Sequence, residues 1–352
     1  MTHEAAKQIY RKAVEKKILF ILLFCAIAAV AFLLTLGFGV YKISIPDAIM
    51  AFFNHLFGNP VDPRDDMYIW DTRLPRAIGA LVVGAGLSLA GVIMQNDFKN
   101  PLAEPYTMGI SSGAFFGAVI FLVLGISIVP FVSGDYALIV NAFITSLIPL
   151  AIIVLVSKRK KLTPTAMILT GIAIMFLLSS ICQYIMVTAP SESLADAYSW
   201  RVGALNRITW ESLTFIIPVT VVISIALWLF AGKLNVMYAG DKGCQTLGES
   251  APRLRIITLA LSSLLTATVV CFTGTIGFIG LVGPHVARII VGSNNRYLIP
   301  ASMAFGAAFI LIADSIAKIS GANGLPVGVI SSMIGGPLFV YILIKQRKNA
   351  WA

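Results

Sequence analysis

Side chains able to make or break covalent bonds are few in this sequence, and they stand apart from one another. The three histidines, His3, His55 and His285, are widely separated. No His-Glu-x-x-His metal helix occurs. The chain is therefore expected not to be an enzyme, with no catalytic residues and no resident metal. A Gly-x4-Gly-Lys-Ser/Thr phosphate loop is also missing, so any ATP linked to its work must be hydrolysed on another polypeptide. Cys25, Cys182, Cys244 and Cys271 show no paired spacing, and three of them fall in apolar segments, which reads as packing rather than as a disulfide framework or a zinc site.

Ionisable residues inside apolar blocks are costly and therefore informative. Asp314 is the clear case, and Lys318 follows one helical turn later, a spacing that allows a local structural ion pair in preference to a proton relay. His285 follows Pro284, whose missing N–H frees a carbonyl that a neighbouring side chain can satisfy. A packing role is expected for this histidine ahead of a ligand role. Residues 232–254 mix small, acidic and basic side chains and can form either short helices or a solvated linker.

The elements that must hold these residues are membrane spans. Of the 352 residues, 58% are hydrophobic and 12% charged, with a mean hydropathy of +0.89. Uncharged runs near the ~20 residues needed to cross ~30 Å of hydrocarbon recur at 18–40, 77–96, 107–126, 137–157, 164–188, 212–231, 299–317 and 325–344. Between Arg255 and Arg288 lie 32 further uncharged residues broken by glycines and Pro284. These read as two spans, 255–273 and 276–292, joined by a tight outer turn. The amino-terminal run of 24 uncharged residues from Ile18 to Tyr41 outlasts a signal peptide and is kept as the first helix.

The expected fold is thus all-α, a polytopic bundle of ten transmembrane helices forming a single domain over 1–352. The formal charge of +10 could suggest nucleic acid, but the basic residues sit in short clusters between apolar blocks. With ten spans and the amino end inside, 19 of the 26 Lys and Arg fall on the cytoplasmic side. That bias fits a lipid bilayer partner, both termini cytoplasmic and no nucleic acid. Gly109, Gly113 and Gly117 put small residues on one helix face, where backbones approach closely.

Several ordered motifs bear on function. Arg73-Leu-Pro-Arg76 is followed by Asn100-Pro101-Leu-Ala-Glu-Pro105, Gly109-Ile-Ser-Ser-Gly113 and Ser199-Trp200-x-x-Gly203. Later come Gly274-x-Ile-Gly-Phe278-x-Gly-Leu281-x-x-Pro284-His285-x-x-Arg288, Leu325-Pro-Val-Gly328 and Gly335-x-Pro337-x-Phe339. Across nearly its whole length the chain resembles the FecCD-type permeases, the membrane subunits of iron-siderophore, haem and cobalamin ABC importers with the type II importer fold.

That resemblance implies a pair of permease copies, expected to be a homodimer, two cytoplasmic ABC ATPase subunits carrying ATP and Mg, and an extracytoplasmic substrate-binding protein, all in a prokaryotic cell membrane. It assigns docking of the binding protein to Arg73, Arg76 and Lys318. Coupling to the ATPase falls on Gly240, Asp241, Leu247 and Gly248. The inner gate falls on Leu162, Thr163, Pro164 and Thr165, although Thr163 as helix cap with Pro164 at the first position fits the same residues. Two other classes are weighed beside the importer. An ion-coupled secondary transporter would need buried acids or histidines in series, and a membrane-embedded enzyme would need a polar constellation.

Overall fold

The computed structural model describes residues 3–59, 61–160, 163–321 and 324–345. Lys161, Leu162, Arg347 and Lys348, which enter the charge count and the gate, lie outside them. Among the described residues there is no strand. The helices are α1 (His3–Gly37), α2 (Ile45–Leu56), α3 (Pro63–Met67), α4 (Leu74–Phe98), α5 (Ile110–Leu124), α6 (Asp135–Ser146), α7 (Ile148–Lys160) and α8 (Pro164–Val187). They continue as α9 (Ser191–Val202), α10 (Trp210–Leu229), α11 (Ala231–Met237), α12 (Gly240–Thr246), α13 (Ala251–Thr273), α14 (Ile279–Val291), α15 (Asn295–Ile319) and α16 (Val327–Lys345).

Eight helical stretches are long and apolar enough to cross a membrane, and α5 and α14 are shorter apolar helices. Each of the ten expected spans coincides with one of these ten stretches, with three departures. The run at 137–157 is divided at Leu147 into α6 and α7. The run at 107–126 yields only 15 helical residues. The helix pair at 255–292 is joined by a non-helical Gly274–Phe278 strap in place of a tight turn. It leaves α14 with 13 residues, which rise about 20 Å, short of the ~30 Å a full crossing needs.

Local chemistry sets the ends. The Ser44 hydroxyl accepts from the Asp47 N–H to start α2, Thr209 and Ser212 form a capping box at α10, and Thr163 accepts from Ala166 with Pro164 opening α8. Between α3 and α4 the chain runs through a wider turn at Tyr68–Arg73, so helix continues unbroken from Pro63 to Phe98.

The core forms around α4. It is buried on every side, as an apolar helix at the centre of a bundle should be, and it packs on α15, α13, α14 and α10. A methyl added at Gly84 would lie 2.2 Å from the Gly306 carbonyl oxygen, and one at Gly91 would lie 1.9 Å from that of Gly280. Backbone therefore touches backbone along α4, α14 and α15. The glycine series expected to pack does so: Gly113 and Gly117 meet the α6 backbone at Thr145 and Asn141, and Gly109 meets α8 at Gly171. By contrast α1, α8, α10 and α16 present large apolar side chains outward, Leu22, Phe176, Val222 and Tyr341 among them.

Candidate functional site

Three polar assemblies stand out in this apolar bundle. The first lies where α4 begins and α15 ends. Asp314 is fully buried and receives two guanidinium nitrogens of Arg76 at 2.7 and 2.9 Å, while the Lys318 ammonium approaches at 3.2 Å. Lys318 also donates to the Thr35 hydroxyl at 3.0 Å, tying α15 to α1. The Asp314–Lys318 pair read from spacing is present, and Arg76 completes it as a triad. Arg73 donates at 2.6 Å to the Leu36 carbonyl and also to that of Tyr41, holding the end of α1.

This placement bears on the docking role expected of the three residues. Arg73 and Lys318 are 4% and 7% exposed, with their donors directed at groups of this chain, whereas a docking contact needs a charge that a partner can reach. Of the three, Arg76 is the most accessible, with 19% of its side chain exposed.

The second assembly is at the opposite end, where α4 stops and α11 to α13 begin. Asp97 is fully buried, and its carboxylate accepts the Thr258 hydroxyl at 2.8 Å. Arg255 donates from Nε to the Asp97 carbonyl at 2.8 Å and from its fork to Asp241 at 3.2 Å. Lys233 pairs with Glu249 at 3.0 Å. The short-helix alternative for residues 232–254 is the one that forms, as α11 and α12. Gly240 and Gly248 have φ of +86° and +76°, a backbone region that glycine enters at little cost, and Leu247 points outward. Thr163 and Thr165 are exposed at the start of α8.

Residues of the remaining motifs join α4 to α14. The Asn100 side chain accepts from the Leu102 N–H at 2.9 Å, and with Pro101 and Pro105 it turns the chain back into the bundle, where Glu104 and Pro105 meet Gly280. Pro284 cannot donate to the Gly280 carbonyl. Gln95 of α4 reaches that oxygen by a long 3.5 Å contact, and its own oxygen accepts from Arg288 at 2.9 Å. His285 donates from Nδ1 to the Leu281 carbonyl at 2.8 Å and sits edge-on to Phe339 at 5.1 Å. That is the packing arrangement expected of it.

The third assembly is a cavity of about 870 Å³ between α5, α8 and α9. Sequence reasoning missed it. Ser112 and Phe115 come from α5, Met175, Ser179, Ser180 and Gln183 from α8, and Tyr198 and Arg201 from α9. Hydroxyls and an amide on a span do not belong against lipid, because hydrocarbon offers them no partner. A signal was available: Met175, Ser179, Gln183 and Met186 recur at helical spacing along one face of an otherwise apolar run. Among the described residues no cluster of three or more His, Cys, Asp or Glu is arranged to hold a metal ion.

A model described as the FecCD transport family matches residues 27–345. The Fe(3+)-citrate import system permease protein YfmE of Bacillus subtilis is 35% identical over 337 residues, covering 95% of this chain and 98% of that protein. The cobalamin import system permease protein BtuC of Halobacterium salinarum is 37% identical over 279 residues, covering 79% and 73%. Among solved structures, an ABC transporter assigned to the metal-chelate type, in an inward-facing conformation, superposes with a TM-score of 0.82 at 29% identity, over 92% of this chain and 98% of that one.

Proposed function

This chain belongs to the FecCD transport family, and on that premise we propose that it is the membrane-spanning permease of a binding-protein-dependent ABC importer that carries a metal complex inward. An iron chelate, haem or a cobalamin-like complex is the cargo class. The observation that carries the reading is the polar-lined cavity of about 870 Å³ on a helix face that would otherwise meet lipid. A weakly interacting path of hydroxyls, an amide and thioethers suits a cargo that must be released after it enters.

A second copy of the chain completes the path. The outward apolar side chains of α8 and α16 supply a surface for it, and that surface supports a homodimer. Both termini lie in the cytoplasm of a prokaryotic cell, as the excess of Lys and Arg on that side supports. Two ABC ATPase subunits, holding ATP and Mg, seat against α11, α12 and the Leu247–Gly248 corner. The ion pairs of Asp241 and Glu249 with Arg255 and Lys233 give that region the stiffness to transmit a push. Thr163, Pro164 and Thr165 stand at the inner opening as the gate. An extracytoplasmic binding protein meets the other end, where Arg76 is the most accessible member of the basic trio.

Two measurements test this. The chain should copurify with a separate ATPase, and proteoliposomes holding both should import the metal complex delivered by the binding protein when ATP is supplied. Uptake that persists with an uncoupler present distinguishes the importer from an ion-coupled carrier; collapse of uptake under the uncoupler with ATP intact would reject it.

A further inference from the structure

Among the described residues that line the α5–α8–α9 cavity, Arg201 is the only charged one. The others are hydroxyl, amide, sulfur, aromatic or aliphatic. The nearest acid along the chain, Asp196, is on the same helix but turned elsewhere. Leu194, Tyr198 and Arg201 follow one another at four and three residues and face this cavity, whereas Asp196 and Trp200 face a second cavity of about 380 Å³ that also holds Asp135 and Arg207. The helical period of α9 thus separates one positive charge from both nearby carboxylates.

Arg201 is also held in place. Its guanidinium lies over the Phe115 ring, 5.2 Å from the centroid, and Phe115 stacks on the buried Trp200 at 6.2 Å. Its backbone carbonyl accepts the Thr275 hydroxyl from the strap before α14. Residue 201 is exposed and pairs with no carboxylate among the described residues. A fixed cation in a cavity whose other lining side chains are uncharged focuses a positive potential there, which enriches anions and excludes cations.

We infer that the cargo is an anionic metal complex, one with carboxylate or similar negative groups at its surface, and that Arg201 is the permease residue that selects for this charge. The inference rests on the reading of the cavity as the cargo path and narrows the chemical class of what passes. An arginine suits the task because its planar fork can hold two oxygens of one carboxylate and stays charged throughout. The neighbouring Ser179, Ser180 and Gln183 add only neutral hydrogen bonds, so the hold is weak enough for release. A second copy would bring a second Arg201 to the same path.

The test uses the assembled transporter with its ATPase and its own binding protein in proteoliposomes. Three probes are offered separately: iron(III)–citrate, which is anionic; cyanocobalamin, which has no net charge; and ferrioxamine B, which is cationic. Uptake of iron(III)–citrate is expected, falling about tenfold or more in Arg201→Met, the scale on which a one-signed cleft changes local concentration. Arg201→Lys should retain most of it, and adding Ser180→Lys to Arg201→Met should restore part of it by returning a cation to the same cavity. Copurification with the ATPase establishes that each variant assembles. Import of only cyanocobalamin or ferrioxamine B by the wild type would overturn the inference while leaving the importer reading intact. So would a wild-type rate of iron(III)–citrate uptake in Arg201→Met, or loss in Arg201→Lys as deep as in Arg201→Met. ATP-dependent uptake of neither these three nor haem by an assembled wild-type complex would remove the cargo-path reading itself, and this inference with it.

Discussion

Arg76 holds Asp314 by two nitrogens, at 2.7 and 2.9 Å, across 238 residues of sequence. The pair fastens the start of α4 to the end of α15, and Lys318 shares the same buried carboxylate. Removing the anion alone strands two cations. Asp314→Ala should therefore cost about 3–5 kcal/mol, seen as a fall in melting temperature in detergent and in the amount of protein in the membrane. Replacing the whole triad, with Arg76→Met, Asp314→Leu and Lys318→Met, should come much closer to wild type. A triple variant as unstable as the single one would show that the charges matter beyond their mutual compensation.

Charge reversal at Arg73 should act through folding. The residue is buried and donates to the carbonyls that close α1, and a carboxylate there would meet those oxygens with no donor. Arg73→Glu is expected to cut the folded yield severely, while Arg76→Gln leaves a neutral donor beside Asp314 and should accumulate better. Size-exclusion profiles of the two purified variants decide the matter. A monodisperse, full-yield Arg73→Glu protein would return this residue to the exposed surface.

Two glycines two residues apart on α4 should respond differently to the same change. A methyl at Gly84 meets the Gly306 carbonyl oxygen at 2.2 Å, whereas at Gly86 the nearest atom is the end of the Leu265 side chain at 3.4 Å. Gly84→Ala should lose about 1–3 kcal/mol through overpacking, and Gly86→Ala should stay near neutral. Thermal melting of the two in one detergent is the comparison; equal melting points would contradict the close approach of α4 and α15.

At the cytoplasmic corner, Gly248 has φ +76° and donates its N–H to the Gln245 carbonyl at 3.1 Å. Proline can supply neither the angle nor the donor. Gly248→Pro should still insert in the membrane yet lose ATP-driven uptake, because the turn between α12 and α13 changes where the ATPase seats. Normal uptake by a well-expressed variant would remove this corner from the coupling surface.

The ten apolar stretches were legible because hydrocarbon thickness imposes a length and charges mark the ends. What stayed hidden depended on three-dimensional neighbours. Asp97 and Glu104 sit beside Lys99 and Asn100 in sequence, which reads as a solvated connection, yet both acids are buried by α13 and α14. Ser179, Ser180 and Gln183 vanished into an uncharged run, since a span is recognised by its average and a path by one of its faces. Resemblance could attach a role to Arg73 and Lys318. Only the packing of α1 against α15 reveals that their charges are already engaged.

The glycine contacts also divide the molecule into parts that can and cannot move. Side chains between two helices act as a cushion that can repack as one helix slides; bare backbone against backbone offers none. Because α4 touches α14 and α15 in this way, those three must travel as one body, and the contacts of Gly113 and Gly117 bind α5 to α6 in a second. Bare backbone also fixes parts of the cavity wall, Gly171 of α8 against Met108 and the Trp200 and Val202 carbonyls of α9 against Gly274 and Gly328, so opening and closing the cavity falls to the stretches of α8 where only side chains separate the helices. The gearing of a transport cycle is thus written in where methyl groups are missing.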